Sequence, residues 1–396
     1  MKNLLTKTKQ YVIGKEWILV FLLFFPFIYK VWLPDGSSIY FLDIIRHKWK
    51  IVSLVIITIL FIIKKKKPSK LFILSLVIEI WTLIITFIKN PSGMKETILF
   101  VSAVLSISGI IELFIDDLDN LLNGLLLNFE IFLYLNFITI LLYHSTRGYN
   151  GAHYLLGYYN TMMVFVYPAI ALAFIYMFKN KKYVRPILLI VISVLTIVLA
   201  GGSTPLGSLI ASIGVVILYL LLQKFNIKTK HLNLILFILA VAFCIFILFF
   251  FVGGKFKLID FIIEKVLNRN TTFTGRFPIW AKAEEMILNN PIFGYGREVQ
   301  IEATPGWFLT HAHNTYLTNL VFTGLIGFIP FMIMNVMIVN KLDKQRNCLL
   351  KYILAGLLFG IFISFVTEAY QKEFMFYIIY FLAYNIDKIK IESSNK

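Results

Sequence analysis

Residues 253–316 read GGKFKLIDFIIEKVLNRNTTFTGRFPIWAKAEEMILNNPIFGYGREVQIEATPGWFLTHAHNTY. This is the longest break in an otherwise almost continuous succession of apolar segments. A helix needs about 20 apolar residues to cross a hydrocarbon core, and the runs on either side of the break approach or reach that length. Of the 396 residues, 59% are hydrophobic and only 15% charged, too few charges to cover the surface of a water-soluble chain this long. The expected architecture is an all-α, polytopic transmembrane helical bundle with one large, partly helical loop.

Twelve apolar runs follow in order: Trp17–Leu33, Ile51–Ile63, Leu71–Ile88, Thr97–Ile115, Leu121–Tyr143, Thr161–Phe178, Pro186–Ala200, Leu206–Leu222, Leu232–Val252, Leu317–Val339, Tyr352–Val366 and Phe374–Tyr384. They predict about twelve spans, divided into N-terminal spans (1–252), the large loop (253–316), and C-terminal spans with a tail (317–396). The basic loops KKKKPSK, KNKKYVR, QKFNIKTKH and KLDKQRNCLLK share one parity with both termini. By the positive-inside rule that side is the cytoplasm, and the large loop faces outward. The expected location is therefore the cell membrane, multi-pass, with both termini cytoplasmic. Two groups fit less well: Arg46–Lys50, expected to lie flat at the outer interface, and Asp116, Asp117 and Asp119 on the inner side. The net charge of +17 reads as this topology signal and not as a nucleic-acid surface. No cleavable signal peptide is expected, since the first run ends at Trp32-Leu33-Pro34-Asp35 without a small-residue cleavage site. Cys244 and Cys348, in a span and a basic loop, make no disulfide framework.

Inside the loop, Thr274-Gly275-Arg276-Phe277-Pro278 reads as a helix start, and Asn289-Asn290-Pro291 as its stop. Arg276 then sits in a first turn, where the helix dipole is already positive. That arrangement suits a bound anion, or an arginine paired with a local carboxylate such as Glu298 or Glu302. His313, where the loop re-enters the membrane, is a general-base candidate, or an interfacial histidine that only caps or hydrogen-bonds. Asn314 can orient it or cap the next helix. His311 and His313 lack further ligands at metal spacing, so neither a metal nor a cofactor is expected. Phe293-Gly294-Tyr295-Gly296-Arg297 is too short for a nucleotide fingerprint and reads as a turn. A second outer stretch carries Arg147, Tyr149, His153, Tyr158, Tyr159 and Asn160, suited to a sugar face or to the interfacial aromatic belt. Gly201–Pro205 is a tight turn or a backbone donor site.

Arg276 with Trp280, then Pro291-Ile292-Phe293-Gly294-Tyr295-Gly296, then His313-Asn314-Thr315-Tyr316-Leu317 and Gly324-Leu325-Ile326-Gly327, form an ordered set. The set resembles the O-antigen ligase and polysaccharide polymerase family of bacterial membrane glycosyltransferases. It covers Thr274–Phe328. The resemblance implies a metal-independent, inverting transfer of a glycan from a polyprenyl pyrophosphate. Arg276 would engage the pyrophosphate and His313 would act on the acceptor hydroxyl. Trp280, Asn314, Tyr316 and His153 are expected substrate contacts on this sequence's own reading. The family's second arginine, in an S-R pair, is missing here: Gly202-Ser203-Thr204-Pro205 stands in its place, so either Arg147 or Arg297 replaces it or the second anion contact is a different one.

The expected function is a polymerase joining undecaprenyl-pyrophosphate-linked oligosaccharide repeat units at the outer face, with the lipid bilayer and a chain-length regulator as further partners. A ligase handing the glycan to another acceptor is the nearest alternative. A transporter of lipid-linked oligosaccharide is the alternative from another class. It is disfavoured because ionisable residues within spans are few (Glu79, Glu112 and Glu130) and no repeated halves are evident. Glu368 and Glu373, near an outer end, line a site or are solvated ends.

Overall fold

The computed structural model describes residues 16–28, 40–143, 153–252, 276–370 and 373–389. Among them are thirteen α-helices and two short antiparallel hairpins. The chain runs through α1 (Glu16–Ile28), α2 (Tyr40–Ile63), α3 (Lys70–Lys89), α4 (Met94–Phe114), α5 (Leu118–Tyr143), the hairpin β1 (His153–Tyr154) with β2 (Gly157–Tyr158), α6 (Met163–Asn180), α7 (Val184–Ala200), α8 (Ser203–Lys224) and α9 (Leu232–Val252). After the insert's helix α10 (Arg276–Asn289) and its hairpin β3 (Ile301–Thr304) with β4 (Trp307–Leu309) come α11 (Thr315–Asp343), α12 (Leu349–Thr367) and α13 (Phe376–Tyr384). Seven of these stretches are long and apolar enough to cross a membrane, which makes this a multi-pass membrane protein. Thr274 and Arg147 lie outside the described residues.

Each apolar run falls on one helix, with two informative departures. The 51–63 run is too short to cross alone, and the structure lengthens it backwards. Arg46–Lys50 belongs to α2 instead of lying flat between helices. Arg46 and Lys50 are buried, the Lys50 ammonium above the Phe374 ring, and the Trp49 indole donates to the Leu22 carbonyl. At the other extreme, α13 is only 9 residues long and buried on every side. It is a core helix and not a lipid-facing one. The α4 span is likewise central, 89% buried, whereas α3 and α8 keep wide apolar faces exposed, as a hydrocarbon environment permits.

Successive helices run in alternating directions, so charged turns collect at the two ends of the bundle. At one end Lys66 and Lys388 bond Asp116, and Lys179 bonds Asp119. The acidic residues that fit the charge rule poorly are there to pair with the basic loops. At the same end the Asp343 carboxylate caps α9 by accepting from the backbone of Asn233 and Leu234. The opposite end carries both hairpins, α10 and the start of α11.

The α11 helix is broken at Gly324, where φ is 57° and ψ −166°. Such a break leaves backbone groups without helical partners, costly in a membrane. Residues 291–296 fill it: Leu325 and Ile326 donate to the carbonyls of Pro291 and Ile292, while Tyr295 and Gly296 donate to those of Val321 and Phe322. The turn read from Phe293–Arg297 is thus a plug, hydrogen-bonded like a strand. Glycine is required on both sides. A Cβ on Gly324 would lie 2.3 Å from the Ile292 carbonyl oxygen, and one on Gly294 2.6 Å from the Gly324 nitrogen. Gly294→Ala or Gly324→Ala is expected to cost about 1–3 kcal/mol, read as a lowered melting temperature in detergent. Gly207→Ala, where a Cβ meets nothing within 4 Å, should stay within about 1 kcal/mol of wild type; equal effects at the three positions would remove the plug from this account.

Candidate active site

Arg276 is the first residue of α10, and Trp280 follows one turn later on the same face. Trp280 is fully buried, and its indole N–H donates to the Ala312 carbonyl at 2.9 Å. The R-x-x-x-W spacing therefore ties the helix that carries Arg276 to the residue just before His313. The 311–315 segment is braced again on its other side. The Ala312 N–H donates to the Thr318 hydroxyl, and the Asn314 side chain caps α11 by accepting from Leu317 N–H. The amide of Asn314 donates to the Val366 carbonyl on α12. Between these braces His313 takes a left-handed backbone, φ 47°. Histidine tolerates this region better than most residues, and the turn swings its imidazole toward the end of α12.

Glu368 stands there, as the C-cap of α12. Its Oε1 accepts from Arg276 Nη2 at 2.8 Å and from Asn160 Nδ2 at 3.3 Å, while Oε2 lies 3.3 Å from His313 Nδ1. Exposure divides the three groups: 7% for the carboxylate, 14% for the guanidinium and 30% for the imidazole. The imidazole is the member that an incoming molecule meets. Arg276 finds its carboxylate on α12 and not at Glu298 or Glu302.

His153, on β1, is exposed and lies against Tyr158, ring centres 5.2 Å apart. Tyr158 packs on Tyr159 at 4.3 Å. Burial, then its hydrogen bond with Tyr159, pushes the Tyr158 phenol up, so it stays a neutral donor. Both Glu368 and Arg276 act on that phenol, which puts the small hairpin beside the carboxylate. Of the 201–205 segment only Gly201 and Gly202 make the turn, Gly201 in the left-handed region as the end of α7, while Ser203–Pro205 open α8.

Burial changes the expectation at three residues. Trp280 and Asn314 are completely buried and Tyr316 is 5% exposed, and the polar atoms of all three are already bonded, Tyr316 through its hydroxyl to the Phe362 carbonyl. They position the site and do not offer a surface to a ligand. Arg297, delivered by the plug, is also buried. Its guanidinium lies 3.6 Å from the Phe100 ring centre, with Glu298 at 3.6 Å and Glu373 at 3.8 Å. Its charge is met by these carboxylates. It lines both a small inner cavity with Glu79, Glu373 and Tyr380, and a neighbouring groove with His311, Thr315 and Tyr370.

His311 accepts the His313 backbone N–H on its Nδ1, at 3.3 Å. Burial first, then the charges of His313, Arg297 and Arg276, pull the His311 imidazole down to about 3. Sequence reading gave no sign of Glu368 as the partner of both candidates. The only hint was a carboxylate directly after an apolar run, on the same side as the loop.

Residues 188–332 match the family model described as O-antigen ligase. No curated protein matches the chain. The matched stretch runs from α7 into α11 and includes Arg276, Trp280, the plug and His313; Glu368 and the β1–β2 hairpin fall outside it.

The unfolded chain takes a proton on His311 near 6.5, while the folded chain refuses it until about 3. Folding stability should therefore rise with pH across that window, because the unfolded state binds more protons there. In His311→Gln, which keeps an acceptor but cannot titrate, the melting temperature should fall less steeply between pH 6.5 and 4 than in wild type. Parallel curves would show that His311 is not held neutral.

Proposed function

We propose that the chain, whose residues 188–332 match the O-antigen ligase model, acts as a member of an O-antigen ligase/polymerase-like family and polymerises lipid-linked oligosaccharide repeat units at the outer face of the membrane. The single observation behind this reading is the convergence of Arg276 and His313 on one carboxylate, 2.8 and 3.3 Å away, at one end of the bundle. A base candidate and an anion-binding cation so placed serve a transfer whose leaving group is a pyrophosphate.

In the proposed reaction the growing glycan on undecaprenyl pyrophosphate is the donor. His313 takes the proton of an acceptor sugar hydroxyl. That oxygen bonds to the anomeric carbon of the donor from the opposite face, and the carbon–oxygen bond to pyrophosphate breaks with inversion. Arg276, at the positive end of α10, stabilises the charge gathered on the departing pyrophosphate. The exposed His153 and its neighbours Tyr158 and Asn160 form the sugar-facing rim. Loop 253–316 faces outward in this reading, between spans 1–252 and 317–396, with both termini cytoplasmic. A chain-length regulator is a further partner.

The transporter alternative loses support at two of the three intramembrane acids, Glu79 being left facing the small inner cavity. The Glu130 carboxylate takes a two-point bond from Arg185 at 2.6 and 2.9 Å, and Glu112 accepts the Ser69 N–H. Both are structural pairs instead of a path through the bilayer.

Purified protein in proteoliposomes, supplied only with lipid-linked repeat units, should extend them. Inertness under those conditions, with transfer restored by a different acceptor, would assign a ligase. His313→Ala should lower chain growth by about 10²–10⁴-fold and Arg276→Ala by about 10²–10³-fold, in variants that still fold. Normal chain lengths in well-expressed His313→Ala would refute its role as the base.

A further inference from the structure

Glu368 has a guanidinium and an imidazole as clients, and its backbone is held in place. Its backbone N–H donates to the Ser364 carbonyl at 2.9 Å, and its carbonyl accepts the Thr315 hydroxyl at 2.8 Å. These bonds fix the backbone from which the carboxylate reaches Arg276, Asn160 and His313. An ionised carboxylate only accepts hydrogen bonds, so the hydrogen between it and His313 belongs to Nδ1. That leaves Nε2 of the imidazole as the acceptor of a proton, the arrangement in which a carboxylate fixes the tautomer of a working histidine.

Arg276 is the second client, and here the two tasks compete. A guanidinium presents its donors in one planar fork. In the structure one arm of that fork, Nη2, donates to Glu368 Oε1. An anion that takes up the fork in full competes with the carboxylate for that arm, and it must also approach the negative charge beside it. When it does so, the carboxylate loses Arg276 and keeps His313.

We propose that Glu368 is the positioning residue of His313 and a latch released by the donor. Without donor, the carboxylate is shared between the arginine and the histidine. With the donor pyrophosphate on Arg276, its full charge serves the imidazolium that forms as Nε2 takes the acceptor proton. The base is thereby at full strength only when there is a glycan to transfer. This rests on the roles given to His313 and Arg276 above.

The latch has a kinetic signature that a merely structural residue lacks. In Glu368→Gln the imidazole loses its counter-charge, so kcat should fall by about tenfold or more. Arg276 is simultaneously freed and the neighbouring negative charge removed, so the KM for lipid-linked donor should fall, by about threefold or more. A damaged site would lower kcat and raise KM together. Steady-state chain growth on undecaprenyl-pyrophosphate-linked repeats, in nanodiscs, measures both. Glu368→Asp retains the charge on a shorter arm and should move both parameters the same way but less; it serves if the glutamine variant does not fold. An unchanged kcat, or a lowered kcat with donor KM unchanged or raised, overturns the latch. His313→Ala in the same assay separates the two ideas. Full activity there would sink the base assignment itself, whereas an inactive His313→Ala beside a wild-type-like Glu368→Gln would sink the latch alone.

Discussion

A carboxylate that is 7% exposed at the end of a membrane helix has to be matched by positive charge or by hydrogen-bond donors, because an unpaired buried ion costs several kcal/mol. Glu368 meets that requirement with groups drawn from three separate parts of the chain: Arg276 from the insert, His313 from the start of α11, and Asn160 from the segment before α6. Satisfying one buried charge thus gathers Arg276 and His313, from the two sides of the described part of the insert, against the bundle. The same contact that stabilises the loop places a cation and an imidazole side by side.

The supporting structure is built to resist relaxation around that point. Trp280 fixes α10 to Ala312, Asn314 fixes the start of α11 to Val366, and the 291–296 plug repairs the break at Gly324. The plug also delivers Arg297 into the protein, against Phe100 and between Glu298 and Glu373. Two arginines of one loop therefore meet opposite fates. Arg276 stays partly open at the rim, while Arg297 is absorbed into the interior.

Much of this was legible in the sequence because it depends on local spacing. Apolar runs gave each helix, basic loops gave the alternation of ends, and the four-residue step from Arg276 to Trp280 gave one helical face. What escaped were consequences of tertiary contact. The 51–63 run gave no sign that α2 reaches back to Tyr40, because the stretch before it carries Arg46 and Lys50, which are basic and yet buried. Gly294-Tyr295-Gly296 read as an ordinary turn, since the use of Gly294, backbone meeting backbone at Gly324, needs a partner 30 residues away. Glu368 lies 55 residues beyond His313, and sequence cannot tell a solvated helix end from a buried one.

The account turns on where the donor's pyrophosphate sits. A cryo-electron microscopy structure in nanodiscs, with a non-transferable undecaprenyl-pyrophosphate-linked sugar bound, would show it directly. The account predicts phosphate oxygens at charge-assisted hydrogen-bond distance from the Arg276 guanidinium, about 2.7–2.9 Å, with the Arg276–Glu368 contact opened and His313 still on Glu368. Pyrophosphate bound against Arg297, or at the opposite end of the bundle, with Arg276 still held by Glu368, would contradict it.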